Sequence, residues 1–179
     1  MSLSLYSKTK RMLKYKFAGF ILLFFFTTHL SQAQSNNTIK WLTWEEAVAA
    51  HEKKPKKIFI DVYTDWCGWC KKMDATTFKD AQVVDLMNSH FYAVKLDAEM
   101  KRDVSFKGDT YSFVKNGRRG YHELAAALMN GKMSYPTTVY LTEGFEMIQP
   151  IPGYQNSQNM RLILEYIGSD EYNSKSWEE

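Results

Sequence analysis

The feature that most constrains this chain of 179 residues is its only pair of cysteines, Cys67 and Cys70, placed between a predicted strand and a predicted helix. The apolar, β-branched run from Ile58 to Tyr63 precedes the pair, and the helix-compatible run from Lys71 to Ala75 follows it. A cysteine at the start of a helix faces unpaired N–H groups and the positive end of the helix dipole, which stabilise a thiolate. We therefore predict that Cys67 ionises readily and attacks disulfides, and that Cys70, one turn further on, resolves the mixed disulfide.

Residues 1–33 have the pattern of a secretory signal peptide. They contain five basic and no acidic residues, an apolar run from Phe17 to Thr28, and the small residues Ser31 and Ala33 before a cleavage site. An uncleaved membrane anchor is the alternative, although the apolar run is short for a membrane span. The pattern predicts an exported protein, periplasmic in preference to secreted. An exported chain with two cysteines has no disulfide framework, which leaves both thiols free for chemistry.

Removal of residues 1–33 changes the charge balance of the chain. The full sequence has 23 basic and 20 acidic residues, and the remainder has 18 basic and 20 acidic ones. Nothing in that balance favours nucleic acid or an anionic membrane surface as a partner. The length suits one domain, and we predict a linker over 34–40, a domain over 41–170, a tail over 171–179 and a monomer.

Strands and helices alternate through the predicted domain. The predicted strands are Ile58–Tyr63, Phe91–Leu96, Thr138–Leu141 and Glu146–Ile148, the last two joined as a hairpin at Glu143-Gly144. The predicted helices run from Thr43 as a cap to His51, from Cys67, from Asp80 to Asn88, from Tyr121 to Met129 and from Asn156 to Ile167. This order predicts an α/β sandwich with a central mixed sheet flanked by helices.

A long connection interrupts this order between Ala98 and Lys132. Residues 104–113 alternate around Gly108-Asp109 and predict a β-hairpin, and residues 116–120 predict a flexible basic loop. The insertion, about 98–120, comes before Pro136 in the sequence. Either it selects the partner protein or it is a solvated decoration of the surface, and the sequence favours neither.

The chain resembles the thioredoxin family at several separated motifs. The segment from Trp66 to Lys71 resembles that family's active-site motif, except that Trp69 stands where proline is common. Asp61 and Lys95 lie where thioredoxins have a buried acid and its lysine, and Tyr135-Pro136-Thr137 resembles the cis-proline loop. The stretches 61–67 and 77–83 are also similar to the C-terminal periplasmic domain of DsbD-type electron-transfer proteins.

The resemblance implies a thioredoxin fold and a role for each matched residue. Cys67 is then the nucleophile, exposed at the helix start, and Cys70 is the more buried thiol. Burial at that position would raise the pKa of Asp61, which would accept the proton of Cys70, while Lys95 would reduce the cost of burying the acid. A simple buried ion pair is the alternative for Asp61 and Lys95.

The resemblance also places substrate contacts around the dithiol. The implied contact residues are Trp66, Gly68, Trp69, Tyr135, Pro136 and Thr137. If the bond between Tyr135 and Pro136 is cis, the main chain of Tyr135 faces outward and can pair with an extended substrate strand.

The predicted function is an exported thiol–disulfide oxidoreductase that reduces protein disulfides. A disulfide oxidase or isomerase, and a non-catalytic binding module of the same fold, are the alternatives. No organic cofactor is expected because the dithiol is the redox group, and no metal is expected because no histidine neighbours the cysteines. The implied partners are disulfide-containing exported proteins and a membrane electron donor of the DsbD type.

Overall fold

A five-stranded mixed sheet forms the centre of the protein in this computed structural model, which describes residues 38–177. The strands of this sheet are β1 (Trp41–Leu42), β2 (Lys57–Tyr63), β3 (Phe91–Asp97), β8 (Thr137–Leu141) and β9 (Met147–Pro152). Their order is β1-β3-β2-β8-β9; β1, β3 and β2 run parallel, while β8 is antiparallel to both β2 and β9. The predicted signal peptide lies outside the described residues.

Helices cover both faces of the sheet. They are α1 (Trp44–Lys53), α2 (Gly68–Ala75), α3 (Ala81–His90), α4 (Glu123–Leu128) and α5 (Ser157–Gly168), with 3₁₀ turns at Thr77–Lys79 and Glu171–Asn173. One apolar layer contains residues of α1 and α4, and the other contains residues of α2, α3 and α5. The predicted α/β sandwich with a mixed sheet is confirmed. Within residues 38–177, every helix is too short or too polar to span a bilayer.

Strand β2 lies at the middle of the sheet because its run of apolar residues can be buried on both faces. Ile58, Ile60 and Val62 point into the layer beneath α1 and α4, and Phe59 points into the opposite layer. Side chains alternate along a strand, so Asp61 belongs to the face of Phe59, on which α2 packs. The fold therefore brings an acidic side chain under the helix that carries Cys70.

Side-chain caps fix where the helices begin. Thr43 and Glu46 form a reciprocal capping box at α1, as predicted, and Asp80 and Asn156 cap α3 and α5. The helix ends were less accurate: α1 continues to Lys53 rather than His51, and α3 continues to His90 rather than Asn88.

The insertion contains two β-hairpins rather than one. The first, β4 (Val104–Phe106) with β5 (Asp109–Tyr111), matches the prediction. The second, β6 (Phe113–Asn116) with β7 (Arg119–His122), shows that the predicted flexible loop over 116–120 was wrong. Gly117, at φ +59°, makes the turn that lets Asn116 pair with Arg119. The following helix begins at Glu123 rather than Tyr121, because Tyr121 pairs in β7 and the ring of His122 caps the helix.

Candidate active site

The two cysteines lie at the turn from β2 into α2. Cys67 is the N-cap of α2 and is joined to Cys70 by a disulfide bond. The N–H of Cys70 donates to the sulfur of Cys67 at 3.1 Å, and the N–H of Cys67 donates to the carbonyl of Thr64 at 3.1 Å. Gly68 opens the helix, and a methyl group added there would meet no atom within 4 Å. The free N–H groups of the first helical turn therefore point toward the sulfur that would carry charge after reduction.

Both cysteines are buried in this oxidised form, so the expectation that Cys67 is exposed was wrong. Cys67 is 5% exposed and Cys70 is 2% exposed. The sulfur of Cys67 is bonded to Cys70 and accepts the Cys70 N–H, which turns it inward toward the helix. Access to the disulfide therefore depends on the side chains that flank it.

A charged cluster lies on the same face of the sheet as α2. Asp61 and Lys95 are paired positions of β2 and β3, and the Lys95 ammonium donates to Asp61 Oδ2 at 2.6 Å. Lys95 also forms an ion pair with Asp74 of α2, so one cation bridges two carboxylates. Asp61 is fully buried, and among residues 38–177 its Oδ1 has no hydrogen-bond partner.

This cluster changes the ionisation of its members. Burial is the largest cause and raises the pKa of Asp61 from 3.8 to about 6, although the charge and hydrogen bond of Lys95 act in the opposite direction. Burial by itself would lower the pKa of Lys95, but the two carboxylates outweigh it and hold that pKa above its ordinary value. Near neutral pH, Lys95 therefore stays protonated, whereas Asp61 has a pKa of about 6 and can exchange a proton.

The loop from Tyr135 to Thr137, which was predicted to contact the substrate, is built around Pro136. The peptide bond between Tyr135 and Pro136 is cis. The Pro136 carbonyl accepts from the N–H of Gly153 at 2.7 Å, and the Thr137 hydroxyl donates to the carbonyl of Ser134 at 2.7 Å. In the described part of the chain, neither the N–H nor the carbonyl of Tyr135 has a hydrogen-bond partner. An extended peptide can therefore pair with this main chain without displacing an existing bond.

Two half-exposed tryptophans lie next to the cysteines in the sequence: Trp66 precedes Cys67, and Trp69 lies between Cys67 and Cys70. Their rings have different neighbours. Trp66 meets the Tyr135 ring edge-on at 5.7 Å and donates from Nε1 to Glu99 at 3.0 Å. Trp69 packs against Tyr154 with 5.3 Å between ring centroids.

Each of these tryptophans carries a cation on its ring. The Arg119 guanidinium lies 4.5 Å from the Trp66 ring, and the Lys72 ammonium lies 4.8 Å from the Trp69 ring. The surface around the disulfide is therefore both aromatic and basic.

The structure brings together most of the residues predicted from sequence. The cysteine, acid and lysine predictions fall in one continuous region of β2, β3 and α2, and Trp66 connects that region to Tyr135. Sequence reasoning missed Asp74, Glu99, Arg119 and Tyr154. Asp74 alone had a local signal, because it lies four residues after Cys70 on the same helix. Among the described residues, no cluster of three or more potential ligand side chains is arranged to hold a metal ion.

The comparisons with known proteins point to one family. The family model Thioredox_DsbH, described as "Protein of unknown function, DUF255", matches residues 26–163 of the chain. Mouse spermatogenesis-associated protein 20 (Mus musculus) is 29% identical over 118 residues, which are 65% of this chain and 13% of that protein. The thiol:disulfide interchange protein DsbD of Pseudoalteromonas atlantica is 34% identical over 65 residues, 36% of this chain and 11% of that protein. The chain thus spans about an eighth of the length of these curated relatives.

The fold of this chain is similar to that of a solved structure. A thioredoxin-fold protein from Helicobacter pylori superposes with a TM-score of 0.55 at 16% identity, covering 82% of this chain and 86% of that one. The predicted thioredoxin fold is confirmed.

Proposed function

Because this chain belongs to the Thioredox_DsbH family, we propose that it is an exported thiol–disulfide oxidoreductase that reduces disulfides in other proteins. The observation that carries the proposal is the Cys67–Cys70 disulfide at the start of α2, above a buried acid. Export rests on the signal-peptide pattern of residues 1–33.

The proposed reaction is a two-step exchange of disulfides. In the reduced protein, the Cys67 thiolate attacks one sulfur of the substrate; a Cys67–substrate bond forms, the substrate disulfide breaks, and its other sulfur leaves as a thiolate. Cys70 then loses its proton and attacks Cys67, which re-forms the Cys67–Cys70 bond and releases the second substrate sulfur. The substrate gains two electrons and two protons, and the protein is oxidised by the same amount.

Asp61 is the group proposed to accept the proton from Cys70. It is buried on the face covered by α2, one of its oxygens has no partner within the described residues, and its pKa of about 6 suits proton exchange near neutral pH. Tyr135 is proposed to hold the substrate through its main chain, and Trp66, Trp69, Gly68, Pro136 and Thr137 to border the bound segment.

The oxidised protein must be reduced again before each turnover. A second dithiol protein would attack Cys67 and take the two oxidising equivalents away. We propose a membrane donor of the DsbD type for this step, since an oxidising compartment supplies no such electrons on its own.

The reduction potential of the Cys67–Cys70 pair tests the direction of the reaction. A value near about −270 mV, as in thioredoxin, supports a reductase, whereas about −180 to −120 mV would make the protein an isomerase or oxidase. The potential is measured by equilibration with redox buffers. The double variant Cys67→Ser with Cys70→Ser, which lacks the redox-active dithiol, is the control. A wild-type protein that exchanges no disulfide with any thiol would refute the function altogether.

A further inference from the structure

The hairpin formed by β6 and β7 reaches the tryptophan next to the nucleophilic cysteine. Arg119, the first residue of β7, places its guanidinium 4.5 Å from the ring of Trp66. On the same ring, Nε1 donates to Glu99, a residue that follows β3. Two parts of the insertion thus hold Trp66 directly beside Cys67.

Contacts at its base fix the hairpin to the rest of the domain. The Lys101 ammonium lies 3.3 Å from the Phe113 ring, and the N–H of His122 donates to the carbonyl of Ala98 at 2.7 Å. Ser112 and Glu123 are joined by two hydrogen bonds of 2.8 and 3.0 Å. The two ends of the hairpin are therefore anchored at its base.

A groove runs between this hairpin and the active-site loop. One part, of about 260 Å³, is lined by Trp66, Glu99, Arg119, Tyr121, Met133 and Tyr135, among others. The next part, of about 500 Å³, is lined by Asp97, Glu99, Lys101, Lys115, Arg118 and Arg119, among others. Glu99 and Arg119 line both parts, so the two parts are adjacent and together make up the groove; the first part also contains Tyr135, whose main chain has no hydrogen-bond partner among the described residues.

The basic side chains of this groove have no carboxylate partner. No carboxylate of residues 38–177 lies within ion-pair distance of Lys101, Lys115, Arg118 or Arg119, and the ring contacts of Lys101 and Arg119 leave their positive charge in place. The acids that line the groove, Asp65, Asp97 and Glu99, keep their negative charge as well, but they lie at or after the ends of β2 and β3, and none of them lies on the hairpin. An added carboxylate would therefore find free cations along the hairpin wall.

We propose that this hairpin wall, Lys115, Arg118 and Arg119, selects protein disulfides whose attacked cysteine has an acidic side chain within a few residues. The inference rests on the proposed function. The bound segment pairs with the main chain of Tyr135, its cysteine faces Cys67, and its carboxylate lies against Arg119 or its basic neighbours.

Matched peptide disulfides test this selection. Two short peptides, each a symmetric dimer through one cysteine, carry either Glu or Gln at the same place two residues from that cysteine. The fully reduced protein is mixed with each dimer in a single turnover, and the second-order rate constant is measured from the released peptide thiol by chromatography. The wild type should reduce the Glu peptide about three- to tenfold faster at low salt, and less so at high salt.

Variants locate the selection. The ratio of the rates for the Glu and Gln peptides should fall toward one in Arg119→Gln. It should also fall toward one in the double variant Lys115→Gln with Arg118→Gln, which leaves the Arg119–Trp66 contact in place. Lys79→Gln removes an exposed cation that does not line the groove, and it should keep the full preference. An equal rate for both peptides in the wild type, or an unchanged preference in both hairpin variants, would overturn the inference.

A neutral small disulfide separates this inference from the proposed function. If the wild type reduces bis(2-hydroxyethyl) disulfide and both peptides without a charge preference, the selection is refuted and the reductase function stands. If the wild type reduces none of the three, the proposed function fails and the selection fails with it.

Discussion

Replacement of Asp61 by Asn should make the protein more stable and less active. Asp61 is buried in the sheet; one carboxylate oxygen pairs with Lys95 at 2.6 Å, and the other has no partner in the described chain. Burial raises its pKa from 3.8 to about 6, against the opposing effect of Lys95. The ionised form is therefore less favourable in the folded protein than in the unfolded chain.

The size of the effect follows from that rise. Each pKa unit corresponds to about 1.36 kcal/mol, so the rise from 3.8 to about 6 lowers the free energy of unfolding by about 3 kcal/mol once Asp61 is ionised. The pKa of Asp61 is higher in the folded protein than in the unfolded chain. Protonated Asp61 therefore contributes its full stabilisation of the fold below pH 3.8, and this contribution is lost as the pH rises past about 6. Wild-type stability should fall across this window. Asp61→Asn should lack that fall and exceed the wild type by up to about 3 kcal/mol at pH 7.5.

Urea unfolding of the oxidised protein at pH 4, 5.5 and 7.5 measures this difference. Asp103→Asn, at an exposed carboxylate, is the matched control and should follow the wild type. Disulfide reduction by Asp61→Asn at pH 7.5 should slow by about 100-fold, because the proton acceptor for Cys70 is gone. An Asn variant no more stable than the wild type at pH 7.5, or with the same pH dependence, would refute the reasoning.

Three further substitutions test other parts of the structure. Asp74→Asn removes a negative charge that raises the pKa of Asp61, so the midpoint of the stability change with pH should move to lower pH, as measured by urea unfolding over pH 4–7.5. Thr43→Ala removes the capping bond to the Glu46 N–H and should cost about 1 kcal/mol in urea, while a cost near zero would argue against the cap. Gly153→Ala places a side chain at φ +93° and should cost about 1–2 kcal/mol in thermal or urea unfolding, whereas unchanged stability would contradict the strained backbone.

The parts of the site that the sequence predicts are those held together by local or periodic relations. The two cysteines follow a buried strand and open a helix, and a strand–turn–helix segment of this kind needs no distant partner to be recognised. The resemblance to thioredoxins predicts that Asp61 and Lys95 form a pair. The parallel register of β2 and β3 explains the pair, because it places the two residues opposite each other. Their side chains lie opposite each other on one face of the sheet.

The parts that the sequence does not predict depend on contacts between distant segments. Residues 116–120 contain glycine and arginine, which alone favour a loop, yet they pair in a hairpin whose base is fixed by Lys101 and His122. The β8–β9 turn shows the same limit: the hairpin signal in the sequence is Glu143-Gly144, but the left-handed residue of the turn is Phe145, at φ +60°. Tertiary packing decides both conformations.

The surroundings of Lys95 explain why Asp61, rather than the lysine, should control the pH dependence of exchange. Burial alone would favour a neutral amine, but the Lys95 ammonium contacts the carboxylates of Asp61 and Asp74, and its pKa is raised. It also lies 4.9–5.3 Å from the centres of three aromatic rings, those of Trp41, Tyr63 and Phe78. A cation held by two anions and three ring faces keeps its charge through the neutral range. A proton arriving from Cys70 therefore has one acceptor in this cluster with a pKa near neutrality, and the rate of the second exchange step should rise with pH through a midpoint near 6. A rate that does not change between pH 5 and 8 would mean that Cys70 passes its proton to another group.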